Sequence, residues 1–166
     1  MAELTPLEKL QPCLLDRLTD EDPKVTEESK LQRVVSLARY KRGVLRDLEW
    51  LLNASAHFAF EGGLGALLVD YPEARQSVVN YGTRHLCGLV GPEMVSYERE
   101  LVEAIQVFEP RILRNTLSIR AVKDRQIVGL EIEGELWANP VPDHLFIKTK
   151  IDLETGQTVL GDAING

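Results

Sequence analysis

The chain is poor in cysteine, histidine and aromatic residues, and it has neither a long apolar run nor a basic surplus. Its two cysteines, Cys13 and Cys87, fit no metal or redox spacing, so reduced thiols in a cytosol are expected. His57, His85 and His144 form no His-x-x-x-His pair and no Cys-His spacing, so no metal centre is expected. No stretch approaches the roughly 18–20 apolar residues that cross a bilayer. Met1 to Pro6 has neither the basic region nor the apolar core of a signal peptide, so a cytoplasmic protein is expected. A net charge of −7 disfavours nucleic acid and anionic membranes as partners, because both reward a basic surface. What is there is ordinary: 44% apolar and 27% charged residues over 166 positions, enough for one folded domain.

The charge is unevenly spread. Residues 1–28 carry eight acids against three bases, while residues 29–56 carry six bases against two acids. An acidic arm thus precedes a basic helix, and the two either neutralise each other or leave a docking face. We divide the chain into an amphipathic arm, 1–28, and a single α+β domain, 29–166.

Periodicity supplies the elements. Leu7, Leu10, Leu14, Leu15 and Leu18 lie on one helical face, and Asp20 to Pro23 end that helix. A main helix is expected from Ser29, capped with Gln32, to Asn53, with a stripe of Leu31, Val34, Val35, Ala38, Leu45, Leu48 and Leu52. Gly43 weakens it by about 1 kcal/mol relative to Ala. The glycine-rich stretch 54–69 lacks the Gly-Lys-Ser/Thr and G-x-G-x-x-G patterns of phosphate loops and reads as a connector. Asp70-Tyr71-Pro72-Glu73 starts a helix expected to run to Tyr81 and end on Gly82. Gly91-Pro92-Glu93 starts another, with Met94, Tyr97, Leu101, Ile105 and Phe108 as its core-facing stripe, and Pro110 terminates it.

Beyond Pro110 the period falls to two. Strands are expected over 113–121, 128–136 and 145–153, with a short Thr158-Val159-Leu160 strand after a turn. A four-residue turn at Lys123 to Gln126 pairs Leu117 with Ile132, Ile119 with Leu130 and Arg114 with Glu135. The same rule sets Glu133 against Lys148 and Glu131 against Lys150. The expected fold is α+β: N-terminal helices packed on an antiparallel C-terminal meander.

No catalytic constellation stands out. A Gly-x-Ser-x-Gly elbow is absent. Glu61 with Asp70, or Glu98 with Glu109, would serve glycoside hydrolysis only if held about 5–10 Å apart in a cleft, and among 26 acids such pairs arise by chance. One segment is unusual. In Phe108-Glu109-Pro110-Arg111-Ile112, proline biases Glu109 to an extended backbone, so opposite charges flank a rigid corner. Either the pair stiffens a turn, or it docks into a partner.

Glu73-Ala74-Arg75-Gln76-Ser77-Val78-Val79-Asn80-Tyr81-Gly82, followed by Phe108-Glu109-Pro110-Arg111-Ile112, resembles the baseplate wedge family. That family comprises the type VI secretion subunit TssE and its contractile-phage relatives, long labelled lysozyme-like. Leu14-Leu15-Asp16-Arg17-Leu18-Thr19-Asp20 and Asp47-Leu48-Glu49-Trp50-Leu51-Leu52-Asn53 are similar to two further segments of TssE proteins. The sequence departs from the family at Thr83-Arg84-His85-Leu86, where a small acidic or proline-containing stretch is expected. The resemblance implies a structural part with no cofactor and no catalytic residue. It implies wedge partners TssF and TssG, contact with the TssB–TssC sheath and with TssK, and a cytoplasmic baseplate at the inner membrane. It places partner binding at Glu109, Pro110 and Arg111 and at Asn80, Tyr81 and Gly82. It also implies that sheath arms add to an edge of the 113–153 sheet, an edge that Ile151→Pro is expected to spoil. A peptidoglycan-active hydrolase is the alternative.

Overall fold

A computed structural model describes residues 10, 13–19, 24, 35–56, 70–83, 92–124, 127–138, 142–152, 155 and 157–161. The expected connectors at 23–29 and 57–69, the Ser29 helix start, Cys87 and Arg84 to Leu86 lie outside those residues, Lys24 excepted. Four helices, α1 (Leu14–Leu18), α2 (Leu37–Asn53), α3 (Pro72–Arg75) and α4 (Pro92–Phe108), precede four strands, β1 (Ser118–Asp124), β2 (Ile127–Leu136), β3 (Asp143–Ile151) and β4 (Thr158–Leu160). The strands form one antiparallel sheet in the order β1-β2-β3-β4. Mixed α+β architecture with helices packed on a C-terminal meander is what the period switch at Pro110 led us to expect.

The alternation along each strand sends Ile119, Leu130, Ile132, Leu136, Leu145, Ile147 and Ile151 to one buried face. Two helices cover that face. Helix α2 contributes Tyr40, Val44, Leu48, Leu51 and Leu52, and α4 contributes Tyr97, Leu101 and Ile105. Of the expected α4 stripe, Tyr97, Leu101 and Ile105 are buried and Phe108 is half-buried. Of the expected main-helix stripe, Val35, Leu48 and Leu52 are buried, but Ala38 is exposed, Leu45 is half-buried, and Val44 and Leu51 are in the core; Leu31 and Val34 lie outside the described residues.

The shift follows from where α2 begins. Ser36 has extended backbone and its hydroxyl accepts a hydrogen bond from Arg39 N, so Ser36 caps the helix. Val35 lies outside the helix, and its N–H donates to Leu10 O. A helix through from Ser29 is therefore excluded, and α2 is about 26 Å long rather than about 37 Å. Helix α1 is likewise shorter than expected, capped by Cys13.

The expected helix 73–81 breaks in two. Helix α3 holds one turn, capped by Tyr71 rather than Asp70, and a 3₁₀ turn follows at Val78–Asn80. Ser77 causes the break: its hydroxyl donates to Ala74 O and accepts from Val79 N, local bonds that compete with the helix.

Both hairpin registers lie two residues from the expected ones. Ile119 pairs with Ile132 and Ala121 with Leu130, because Asp124 pairs directly with Ile127 and leaves a two-residue turn. Glu131 pairs with Lys148, their charged groups 3.1 Å apart, while Glu133 faces Phe146. A slip of two preserves the buried face, so hydrophobic patterning could not detect it. Arg114 does not face Glu135 across a ladder. Residues 114–116 form a turn, in which the Thr116 hydroxyl donates to Leu113 O at 2.8 Å and accepts from Glu135 N at 2.9 Å. Strand β1 accordingly starts at Ser118. Ile151 pairs with both Val128 and Thr158, so it sits on an interior strand and not at an edge.

Candidate functional site: a buried corner tied to the long helix

The chain leaves α4 at Phe108 and turns at Glu109-Pro110-Arg111 before touching the end of β2. Arg111 O accepts from Trp137 N at 2.7 Å, and Leu113 N donates to Glu135 O at 2.8 Å, around the Ile112–Leu136 bridge. The corner is thereby fixed to the sheet as well as to α4.

Glu109 is 2% exposed. Burying a carboxylate is costly unless it is paired and hydrogen-bonded. Arg111 supplies both. Its Nε donates to Glu109 Oε1 at 2.6 Å, its Nη2 donates to Glu109 Oε2, and its backbone N–H also reaches Oε1. The fork spans the proline within a tight turn, in which Ile112 N donates to Glu109 O. Pro110 itself is exposed at the tip.

The pair is not merely local. Arg111 Nη2 also donates to Asp47 Oδ2 on α2 at 2.5 Å, and the guanidinium lies 5.9 Å from the Tyr40 ring centroid. Asp47 accepts from Arg46 Nε at 2.9 Å, and Arg46 Nη1 donates to Asp16 Oδ1 at 2.6 Å. Asp16 in turn accepts from the Cys13 thiol. Glu109, Arg111, Asp47, Arg46 and Asp16 make a ladder of alternating sign from the corner to the N-terminal arm. Burial works against the Arg111 charge, but the bonds and charges of Glu109 and then Asp47 outweigh it and raise its pKa. Arg46 is raised in the same way, against burial, by Asp16 and Asp47. Burial pushes the Asp16 carboxyl up, yet the Cys13 bond and Arg46 together hold it below its ordinary value.

Gly43 acquires a reason here. A Cβ at this position would lie 3.1 Å from Asp16 Oδ2 and 3.6 Å from Arg111 Nη1. The glycine that weakens α2 makes room for the arm's carboxylate.

The second expected segment stands beside the corner. Tyr81 meets Phe108 edge-to-face at 5.3 Å between centroids. Burial raises the Tyr81 pKa, and the negative charges of Asp47 and Glu109 raise it further. Asn80 Nδ2 donates to Arg75 O and holds the 3₁₀ turn to α3. Gly82 has φ of +127°, and a Cβ there would lie 2.4 Å from Ala54 O. Only glycine lets the chain lie this close to the end of α2, where Thr83 N donates to Ala54 O and Ala56 N to Thr83 O. The structure thus brings Tyr81 against Phe108, next to the Glu109-Pro110-Arg111 corner, while Asn80 is tied to α3 and Gly82 to the end of α2.

Sequence reasoning missed Asp16, Tyr40, Arg46 and Asp47 as members of this cluster. The opposed charges of arm and helix were a signal, and Asp16 with Arg46 is a case of mutual neutralisation. The Glu98–Glu109 pair forms no hydrolytic site, since Glu98 accepts from Ala121 N at 2.7 Å and Glu109 is clamped by Arg111; Glu61, and with it the pair with Asp70, lies outside the described residues. Among the described residues no group of acids, histidines and cysteines is arranged to hold a metal, and no helix is long and apolar enough to cross a membrane. The cluster binds charge to charge and offers no nucleophile with its base.

No curated protein and no solved structure matches the chain. The model of the family described as "Baseplate wedge protein gp25" matches residues 38–141, which run from α2 past the end of β2 and include both segments of the cluster. That family is structural and non-enzymatic, which removes the hydrolase alternative. The match covers more than half of the chain, and the chain belongs to the baseplate wedge protein gp25 family, as a structural component of a contractile tail-like machine.

Proposed function

We propose that this chain is a type VI secretion baseplate subunit of the TssE kind. In this reading it joins the wedge proteins TssF and TssG, touches TssK, and starts polymerisation of the TssB–TssC sheath from a cytoplasmic baseplate at the inner membrane. The observation that carries the reading is the Glu109–Arg111 corner, braced by Asp47 and followed back into Phe108, which meets Tyr81, all inside the family match. A joint that transmits force between subunits needs a shape that does not yield. A carboxylate locked under an arginine fork, with Pro110 exposed at its tip, supports such a role. Glu109 acts by holding the corner's shape and the buried Gly82 by bending its turn, so that Pro110, Arg111, Asn80 and Tyr81 form the surface offered to the wedge.

Co-expression with a TssF–TssG pair tests this. The wild-type chain is expected to co-purify with the pair, and Arg111→Ala to be lost from it at a temperature where the variant is still folded. Failure of the wild-type chain to co-purify overturns the TssE assignment. Full retention of folded Arg111→Ala overturns the role of the corner.

A further inference from the structure

In an antiparallel ladder the N–H and C=O of a residue point the same way, and the direction alternates along the strand. Ala121 N donates to Glu98 Oε1 of α4 at 2.7 Å. Ile119, Ala121 and Lys123 therefore turn their peptide groups away from β2, along a border that pairs with no other strand among the described residues. On the opposite border, Thr158 N donates to Asn53 Oδ1 at 2.8 Å and Asn53 Nδ2 donates to Thr158 O at 2.8 Å. The Asn53 carboxamide imitates the peptide group of a neighbouring strand on both sides of the exchange. Each helix thus ends one border with a side chain.

The two borders differ. Strand β4 has three residues and is closed on donor and acceptor by Asn53. Strand β1 has seven residues, and its guard occupies a single donor. That donor lies at the centre of a self-complementary register. An antiparallel two-fold pairing about Ala121 sets Ala121 against Ala121, Ile119 against Lys123 and Arg120 against Val122, with no like charges opposed. Exposed strand borders of this kind template pairing between chains unless something blocks them.

We propose that the β1 border is a latent self-pairing surface whose occupant is the β1 border of a second copy of this chain, and that Glu98 keeps it closed by holding the Ala121 N–H. Without an acceptor at position 98, two copies zip their borders into one continuous sheet. With it, the central bond of that register is already used. The inference stands on the sheet geometry and needs no wedge or sheath partner, so its failure leaves the assignment above untouched.

The test is sedimentation velocity over a concentration series, with circular dichroism to verify folding. Wild type is expected at the 18.6 kDa monomer mass throughout. Glu98→Ala and Glu98→Lys, neither of which can accept the bond, should move toward twice that mass as concentration rises. Glu98→Gln keeps an acceptor oxygen and should stay monomeric. Adding Ala121→Pro to Glu98→Ala removes the border donor, which no ladder bond needs, and should restore the monomer. Hydrogen exchange in dilute Glu98→Ala should show the Ala121 amide released about tenfold or more faster than in wild type. Folded Glu98→Ala and Glu98→Lys that remain monomeric overturn the proposal. So does a wild-type chain that pairs equally well, or a pairing that Ala121→Pro leaves intact.

Discussion

Replacing Arg111 by methionine isolates the electrostatic work of the corner, because methionine keeps much of the apolar stem and removes the charged group that lies over Tyr40. The Glu109 carboxylate, 2% exposed, would keep one bond, from the backbone N–H of residue 111 at 3.3 Å. Asp47, a quarter exposed, would keep Arg46. Breaking one side of a buried pair costs about 3–5 kcal/mol. Water entering the space left by the guanidinium and the surviving backbone bond place Arg111→Met at about 3 kcal/mol. For a chain of this length that is a fall in Tm of roughly 6–12 °C, and a large share of the roughly 5–15 kcal/mol that holds a domain together. The cause is the orphaned carboxylate and not the loss of a favourable pair. Glu109→Gln in the Arg111→Met background should therefore recover stability, so that the double variant unfolds at a higher urea concentration than Arg111→Met alone. Urea unfolding of the four proteins in the cycle measures this. A cost below about 1 kcal/mol for Arg111→Met, or a double variant at least as unstable as the two single losses added, refutes the argument.

Two further perturbations probe the same assembly. Gly82→Ala puts a Cβ 2.4 Å from Ala54 O at a φ of +127° and should cost about 3 kcal/mol in urea unfolding; a cost under about 1 kcal/mol means the turn is not held as described. The Asp16 carboxyl lies below 3.8 in the folded chain, so the unfolded chain takes up its proton first as pH falls. The stability gap between wild type and Asp16→Asn should be constant above about pH 5 and close only below the unfolded value. A gap already closed at about pH 5 refutes the Asp16–Arg46 contact.

The fold was legible where side chains obey a simple period. The α4 stripe, the three alternating strands and the helix stop before Arg111 follow from apolar spacing and from proline. Bonds within a few residues displaced the rest. Ser36 and Ser77 take up backbone groups that periodicity assigns to continuous helices, and Thr116 stands in for a strand partner at Glu135. A hydroxyl's choice between backbone groups has no period. The registers failed for a different reason: a shift of two residues keeps every apolar side chain on the same face, so only turn length separates the alternatives, and Arg125-Gln126 carries no glycine or asparagine to announce a two-residue turn.

The candidate site was legible as two segments and not as one body. Motif spacing placed the charges of Glu109 and Arg111 on a corner but left open whether they stiffen it or face outward. The deciding residue is Asp47, 64 positions away, whose carboxylate turns a local ion pair into a tie between the corner and α2. Gly43 shows the same dependence in reverse. Within its own helix it is a defect of about 1 kcal/mol, and only the approach of Asp16 from the arm shows what a Cβ there would crowd. Arm, helix and corner are thus parts of one charge ladder, in which each cation is shared between two carboxylates. Removing a central member leaves two neighbours unbalanced, whereas removing Asp16 at the end leaves one. Arg111→Met should therefore cost more stability than Asp16→Asn, because it unbalances Asp47 and the enclosed Glu109 together.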